Sequence, residues 1–290
     1  MTTRVLVALA LLAAVFPALS PSAQTQQPSS GVRVMRFATN PLVTVRSSPT
    51  LGANVNGPTV IRVPSWVQKP LGKYYMYFGN HRGVFIRLAY ADSPTGPWTI
   101  HEPGVWHVKD SSLYRPQLDS ASFGGFNTHF ASPEIFIDNT NRRIVLWAHG
   151  WWTNNERWPA EPQAAQAWAT RNGYGQFTQG AVSSDGITFT AQPAITKESY
   201  IRVFERSGQL YGMSRLGVLL HAPDPLASFE AGPNAFRETR YGSNRVRHMA
   251  LLPRGNRLHV LFTAIGDAPE RLLWSTIRVP RAPCGGSRRR

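Results

Sequence analysis

Three carboxyl groups and four imidazoles stand where they could do chemistry together. Glu134 directly follows a proline at the start of an apolar run, Ser132-Pro133-Glu134-Ile135-Phe136-Ile137-Asp138. Partial burial there raises the proton affinity of a carboxyl group, which suits a general acid. Asp267 and Glu270 lie together in Gly266-Asp267-Ala268-Pro269-Glu270-Arg271, and either could act as the partner base. His81, His129, His149 and His248 could hydrogen-bond hydroxyls or move protons. Asn56 and Arg82 add amide and guanidinium donors, and Trp151 with Trp152 offers flat stacking faces. Each has a plainer alternative. Glu134 could pair with an arginine such as Arg82 and only brace the interior. Asp267 could cap a turn and Glu270 could pair with Arg271. The histidines could serve as structural hydrogen-bonding groups, and the tryptophans could pack into a small core of their own. No His-x-x-x-His spacing occurs among the four histidines, so no metal site is assigned and no cofactor is implied.

These groups can meet only if a repeated scaffold brings distant segments together. The chain reads as four β-rich units, opening at Gly57, Ser132, Tyr200 and His248. In the first, Gly57–Val63, Lys73–Phe78, Phe85–Ala91 and Gly96–Thr99 are short runs separated by turns. The second is Ser132–Asp138, Arg143–Ala148, Gly180–Ser183 and Gly186–Phe189, with residues 149–179 inserted after its second run. The third is Tyr200–Phe204, Gln209–Met213, Val218–His221 and Ala227–Phe229. The fourth has three runs, His248–Leu252, Arg257–Phe262 and Arg271–Ser275. A repeat of ~40–50 residues built from four strands predicts a β-propeller blade. The rival is a β-sandwich with accidental likeness between strands. Asp92, Asp138, Asp185 and Asp224 recur at blade turns and are read as turn residues.

In a propeller the first strand of each blade is innermost. The start of that strand and the loop joining strands two and three lie on one face of the ring. That rule gathers Asn56, His129, Glu134, Arg247 and His248 from the strand starts. It takes Asn80, His81, Arg82, His149, Trp151, Trp152, Arg215, Asp267 and Glu270 from the loops.

The stretch Gly57–Trp98, with Lys73-Tyr74-Tyr75-Met76-Tyr77-Phe78 and Ala89-Tyr90-Ala91-Asp92-Ser93-Pro94-Thr95-Gly96-Pro97-Trp98, resembles the first blade of five-bladed propeller glycoside hydrolases, as in glycoside hydrolase family 43. Ser132–Asp138 is similar to a second-blade opening, and the resemblance spans about residues 54–278. It implies an all-β, five-bladed type of propeller. It also implies hydrolysis of arabinose- or xylose-containing polysaccharide fragments by paired carboxyl groups. Two departures stand beside it. The family's base Asp directly precedes the first-blade proline, and here that position is Gly57. Only four units are recognisable where the family has five, with one or two further strands available from residues 32–48. A degenerate or C-terminally shortened chain is expected on that count, and a non-catalytic sugar-binding propeller is the alternative function.

Residues 1–23 read as a signal peptide. Arg4 precedes an apolar run from Val5 to Leu19, Ala18-Leu19-Ser20 offers a cleavage site with cleavage after Ala23 as its competitor, and an uncleaved membrane anchor is the rival reading. A linker and N-terminal strand segment is expected over 24–53, the propeller over 54–280 and a basic tail over 281–290. The mature protein is then secreted or periplasmic, with no membrane association after cleavage. The net charge is +15, and arginine supplies 27 of the 31 basic residues. Those arginines are dispersed, with Arg288-Arg289-Arg290 the only run of three, so no basic element suited to nucleic acid stands out. Arg82 and Arg87 could clamp a carboxylate if the substrate is an acidic sugar. The single Cys284 excludes an internal disulfide framework. The expected partner is an oligo- or polysaccharide, and the oligomeric state is not legible.

Overall fold

Strands alternating between two buried faces build the molecule. The computed structural model describes residues 36–80, 83–119, 128–152 and 175–278. Fifteen strands form four separate antiparallel sheets, each ordered as in the sequence. Blade one is β1 (Asn56–Arg62), β2 (Tyr74–Gly79), β3 (Phe85–Ala91) and β4 (Thr99–His107). Blade two is β5 (Phe130–Asp138), β6 (Arg143–Trp152), β7 (Gly175–Ser183) and β8 (Thr190–Thr196). Blade three is β9 (Arg202–Arg206), β10 (Gln209–Met213), β11 (Val218–Ala222) and β12 (Glu230–Asn234). Blade four has three strands, β13 (Val246–Arg254), β14 (Arg257–Ala264) and β15 (Leu273–Arg278). Four sheets in sequence order are a propeller arrangement, not a two-sheet sandwich.

The period-two pattern explains the stacking of the blades. Tyr75 and Tyr77 of β2 face Ile144, Leu146 and Ala148 of β6 in one core. Val145 and Trp147, on the opposite face of β6, pack with Leu210 and Leu220 of blade three. Leu258, Val260 and Phe262 of β14 pack back against Met213 and Leu219. The middle strands β2 and β6 are therefore apolar on both faces, as the continuous run Tyr-Tyr-Met-Tyr-Phe requires. The outer face of blade one, at Met76, Phe78 and Ala89, is covered by Val43, Leu51 and Val55. Among the described residues no core joins blade four to blade one. Residues 36–55 contribute 3-10 turns and no strand, so they add no strands to a fifth sheet.

The innermost strands carry the feature that shapes the site. Their pairing shifts between Asn56 and Thr59, between Ala131 and Glu134, and between Arg247 and Ala250. Inside those three bulges Gly57, Ser132 and His248 take left-handed φ values of 58°, 51° and 47°. Tyr200 does the same at 54°, two residues before β9. A bulge bends a strand and re-aims the side chains beside it. One such kink per blade turns the start of every inner strand toward the same end of the ring.

The last strand of blade two begins at Thr190, whereas the sequence pattern placed it at Gly186–Phe189. Asp185 is the reason. Its Oδ1 accepts the Ile187 and Thr188 amides at 2.7 and 2.8 Å, which winds that segment into a turn. Gly186 in this turn has φ 75°, and a Cβ there would stand 2.7 Å from the Tyr77 hydroxyl. That buried hydroxyl donates to the Gly186 carbonyl at 2.8 Å. Tyr77→Phe is expected to cost about 1–3 kcal/mol by leaving the carbonyl without its donor, read by urea unfolding. A loss of a few tenths would show that water replaces the hydroxyl.

Candidate active site

The strand starts and the two-to-three loops deliver a row of rings to one end of the ring of blades. His129, before β5, and His149, on β6, place their Nε2 atoms 2.9 Å apart. Both are buried, and one nitrogen donates while the other accepts. The His149 ring lies 4.2 Å from the Tyr200 ring, and Tyr200 lies 5.7 Å from His248 in an edge-on pair. Trp151 flanks the other end, 6.4 Å from His129. Blades two, three and four thus contribute to one continuous aromatic wall. Arg215, exposed on the loop after β10, sets its guanidinium 5.9 Å from the Tyr200 ring centre.

Of the residues singled out from the sequence, His129, His149, Trp151 and His248 come together here. Asn56 lies at the start of β1, where its amide donates to Asn54 Oδ1 at 3.0 Å. His81 and Arg82 lie outside the described residues, as do most of the 149–179 insertion, the leader and the basic tail. Arg87 is buried within blade one, its guanidinium 4.3 Å over the Phe85 ring.

The carboxyl groups divide by environment. Glu134 is buried, and both of its oxygens are engaged. Oε1 accepts the Val203 amide at 2.9 Å, and Oε2 lies 3.3 Å from Arg202 Nη1. Burial pushes its proton affinity up, against the pull of Arg202, the Val203 amide and Thr59. Arg202 also donates to the Pro133 and Met249 carbonyls, each at 3.0 Å. It thereby ties the inner strands of blades two, three and four. Glu134 does pair with an arginine, and that arginine comes from the next blade.

Asp267 pairs with Arg245 at 2.7 Å and closes a turn through its amide to Ala264. Glu270 is about half exposed and lies 3.4 Å from Arg247, not against Arg271. The Thr263 hydroxyl, and then the Arg247 and His248 charges, hold its carboxyl below the ordinary range.

Glu198, in the loop between β8 and β9, is a further carboxyl at this end. Ser214, in the two-to-three loop of the same blade, donates to its Oε2 at 2.6 Å. Thr178, paired with His149 across β6 and β7, donates to its backbone carbonyl at 2.7 Å. Burial outweighs the Ser214 hydroxyl and raises its proton affinity. Asp119, also in a loop before an inner strand, is held ionised by the Tyr114 and Thr128 hydroxyls at 2.5 and 2.8 Å.

At Gly57 no acidic side chain is present, and none would fit without movement. Its φ is left-handed, and a Cβ would meet Ser132 at 3.3 Å.

No family model matches the chain. An uncharacterized protein of Acanthamoeba polyphaga mimivirus is 28% identical over 266 residues, which span 85% of this chain and 69% of that protein. Similar solved structures are glycoside hydrolases. An alpha-L-arabinofuranosidase from Lactobacillus brevis has a TM-score of 0.49 and 12% identity, covering 84% of this chain and 71% of that one. An alpha-L-arabinofuranosidase from Clostridium thermocellum has a TM-score of 0.44 and 16% identity, covering 71% and 60%. A family 117 glycoside hydrolase from Zobellia galactanivorans has a TM-score of 0.43 and 13% identity, covering 78% and 70%. The chain thus spans less than two thirds of the Clostridium enzyme's length.

Proposed function

We propose that this chain is an exported carbohydrate-active propeller that hydrolyses glycosidic bonds in polysaccharide fragments. The expected fragments are of the arabinose- or xylose-containing kind. The observation that carries this reading is the aromatic wall of His149, Tyr200 and His248, with two carboxyl groups, Glu198 and Glu270, among the residues at that end of the ring. Their environments displace their proton affinities in opposite directions. Such a divergence marks an acid and a base. Glu198 retains its proton to higher pH and protonates the leaving oxygen. Glu270 stays ionised and either activates water or attacks the sugar. Tyr200 and Trp151 present ring faces to the sugar, the exposed His248 and Asn56 bond its hydroxyls, and the His129–His149 pair props the wall from behind.

In this reading the acid is Glu198 and not Glu134. A general acid must reach the glycosidic oxygen, and both oxygens of Glu134 are already engaged inside the protein. Gly57 favours a second reading, a sugar-binding propeller without turnover, because it leaves no carboxylate at the first-blade position.

The experiment is a mass-spectrometric screen of the purified protein against arabino-, xylo- and galacto-oligosaccharides, with Glu270→Gln as the control. Shortened products lost in the control are the expected result. Binding without products, at high protein concentration, would overturn hydrolysis in favour of the second reading. Neither binding nor products would overturn both. Export has its own check, since protein expressed with residues 1–23 should reach the medium or periplasm shortened at its N-terminus.

A further inference from the structure

The guanidiniums around the aromatic wall differ in their partners. Burial first, then the Arg247, Arg202 and Arg215 charges against the pull of Glu270, hold the proton affinity of the His248 imidazole below the ordinary value. Two of these three cations have carboxylate partners. Arg202 is taken up by Glu134, and Arg247 lies against Glu270. Arg215 makes no ion pair with any described residue. Glu198 turns its Oε2 to the Ser214 hydroxyl and forms no ion pair with Arg215. Asp267 and Arg245 form a separate pair with no net charge. Among the described residues, Arg215 is thus the guanidinium at the wall that has no carboxylate partner.

The geometry gives that charge a direction. Arg215 is exposed and reaches over Tyr200, the ring that stands between His149 and His248. A sugar lying on Tyr200 would present a ring substituent to Arg215. A planar guanidinium bonds a planar carboxylate through two parallel N–H donors, which a neutral hydroxymethyl group cannot match. Resting on the carbohydrate reading above, we infer that the sugar held here carries a carboxylate: a uronic acid residue clamped by Arg215, with Arg247 beside it.

Isothermal titration of the full chain against matched trisaccharides tests this. Trigalacturonic acid is compared with galactotriose, and a glucuronic acid trisaccharide with its neutral gluco counterpart, at physiological salt. The acid of at least one pair should bind about tenfold tighter or more, the scale of one charged hydrogen-bonding pair. Arg215→Gln should remove that preference and leave the neutral sugar's affinity in place. Arg62→Gln, exposed on β1, should leave the preference intact and so reports any general attraction to a basic protein. Equal affinity within both pairs overturns the inference while the sugar reading stands. A preference that survives Arg215→Gln, or falls equally in Arg62→Gln, also overturns it. Failure of every sugar to bind overturns the carbohydrate reading itself.

Discussion

Arg202→Met is expected to destabilise the protein by about 3–5 kcal/mol near neutral pH, the cost of stranding a buried partner charge. Arg202 and Glu134 are only 12% and 11% exposed at their side chains, so water cannot replace the lost cation. The loss also extends past one ion pair, since Arg202 holds the Pro133 and Met249 carbonyls as well. The pH dependence follows from the sign of the Glu134 shift. Its folded-state proton affinity is already raised above the unfolded value of 4.5. A raised group contributes stability that is complete below the unfolded value and fades as pH rises through the folded one. Removing Arg202 takes away the largest opposing influence and lifts the folded value further. The variant should therefore lose stability progressively above about pH 4.5, and its deficit relative to the parent should shrink in acid. Urea titrations at several pH values read this directly. The double variant Glu134→Gln with Arg202→Met should recover much of the loss at neutral pH, because no buried charge remains. A single variant within ~1 kcal/mol of the parent at pH 7 would mean that the pair is solvated and braces nothing.

The blades were legible because strands such as β2 and β6 are apolar on both faces, and such runs stand out between Gly, Pro and Asn turns. The positions at which the sequence units align are even the structural pivots. Gly57, Ser132, Tyr200 and His248 are the four left-handed residues at the inner strands. The side-chain pairing around those pivots was not legible. Glu134 and Arg202 each stand two residues after a pivot in neighbouring blades. Their meeting depends on how two kinked strands approach, and local pattern carries no trace of that. Ending blade two at Phe189 failed for a different reason. Asp185 captures amides that a strand would have left for its neighbour, and a side chain competing for backbone donors outweighs β propensity. Glu198 was missed although a signal existed. The rule that gathers residues at strand starts, applied to the third unit, reaches Ser199 and Glu198 immediately before Tyr200. Those residues look like ordinary linker, and only the Ser214 hydroxyl from the facing loop distinguishes them.

Glu198→Gln is expected to lower kcat on a natural oligosaccharide by about 10²–10⁴-fold, the usual contribution of a positioned general acid. The fold should survive, because the amide oxygen still accepts from Ser214. The loss should depend on the leaving group. A natural sugar alkoxide must be protonated as it departs, whereas an activated aryl glycoside leaves as a stable phenolate. The aryl substrate should therefore be spared most of the defect, and a merely structural role would impair both substrates alike. The pH profile gives an independent check. With Glu198 as acid and Glu270 as base, activity falls toward low pH as Glu270 gains its proton and toward higher pH as Glu198 loses its own. Glu198→Gln should abolish the alkaline limb. Ser214→Ala removes the hydroxyl that lowers the Glu198 proton affinity, so its alkaline limb should move to higher pH. If the limb stays in place in Ser214→Ala and both substrates suffer equally in Glu198→Gln, the proton comes from another group. Asp119, another carboxyl in a loop before an inner strand, would be a poor substitute. Two hydroxyls hold its proton affinity below the ordinary carboxylate value, the opposite of what a general acid needs.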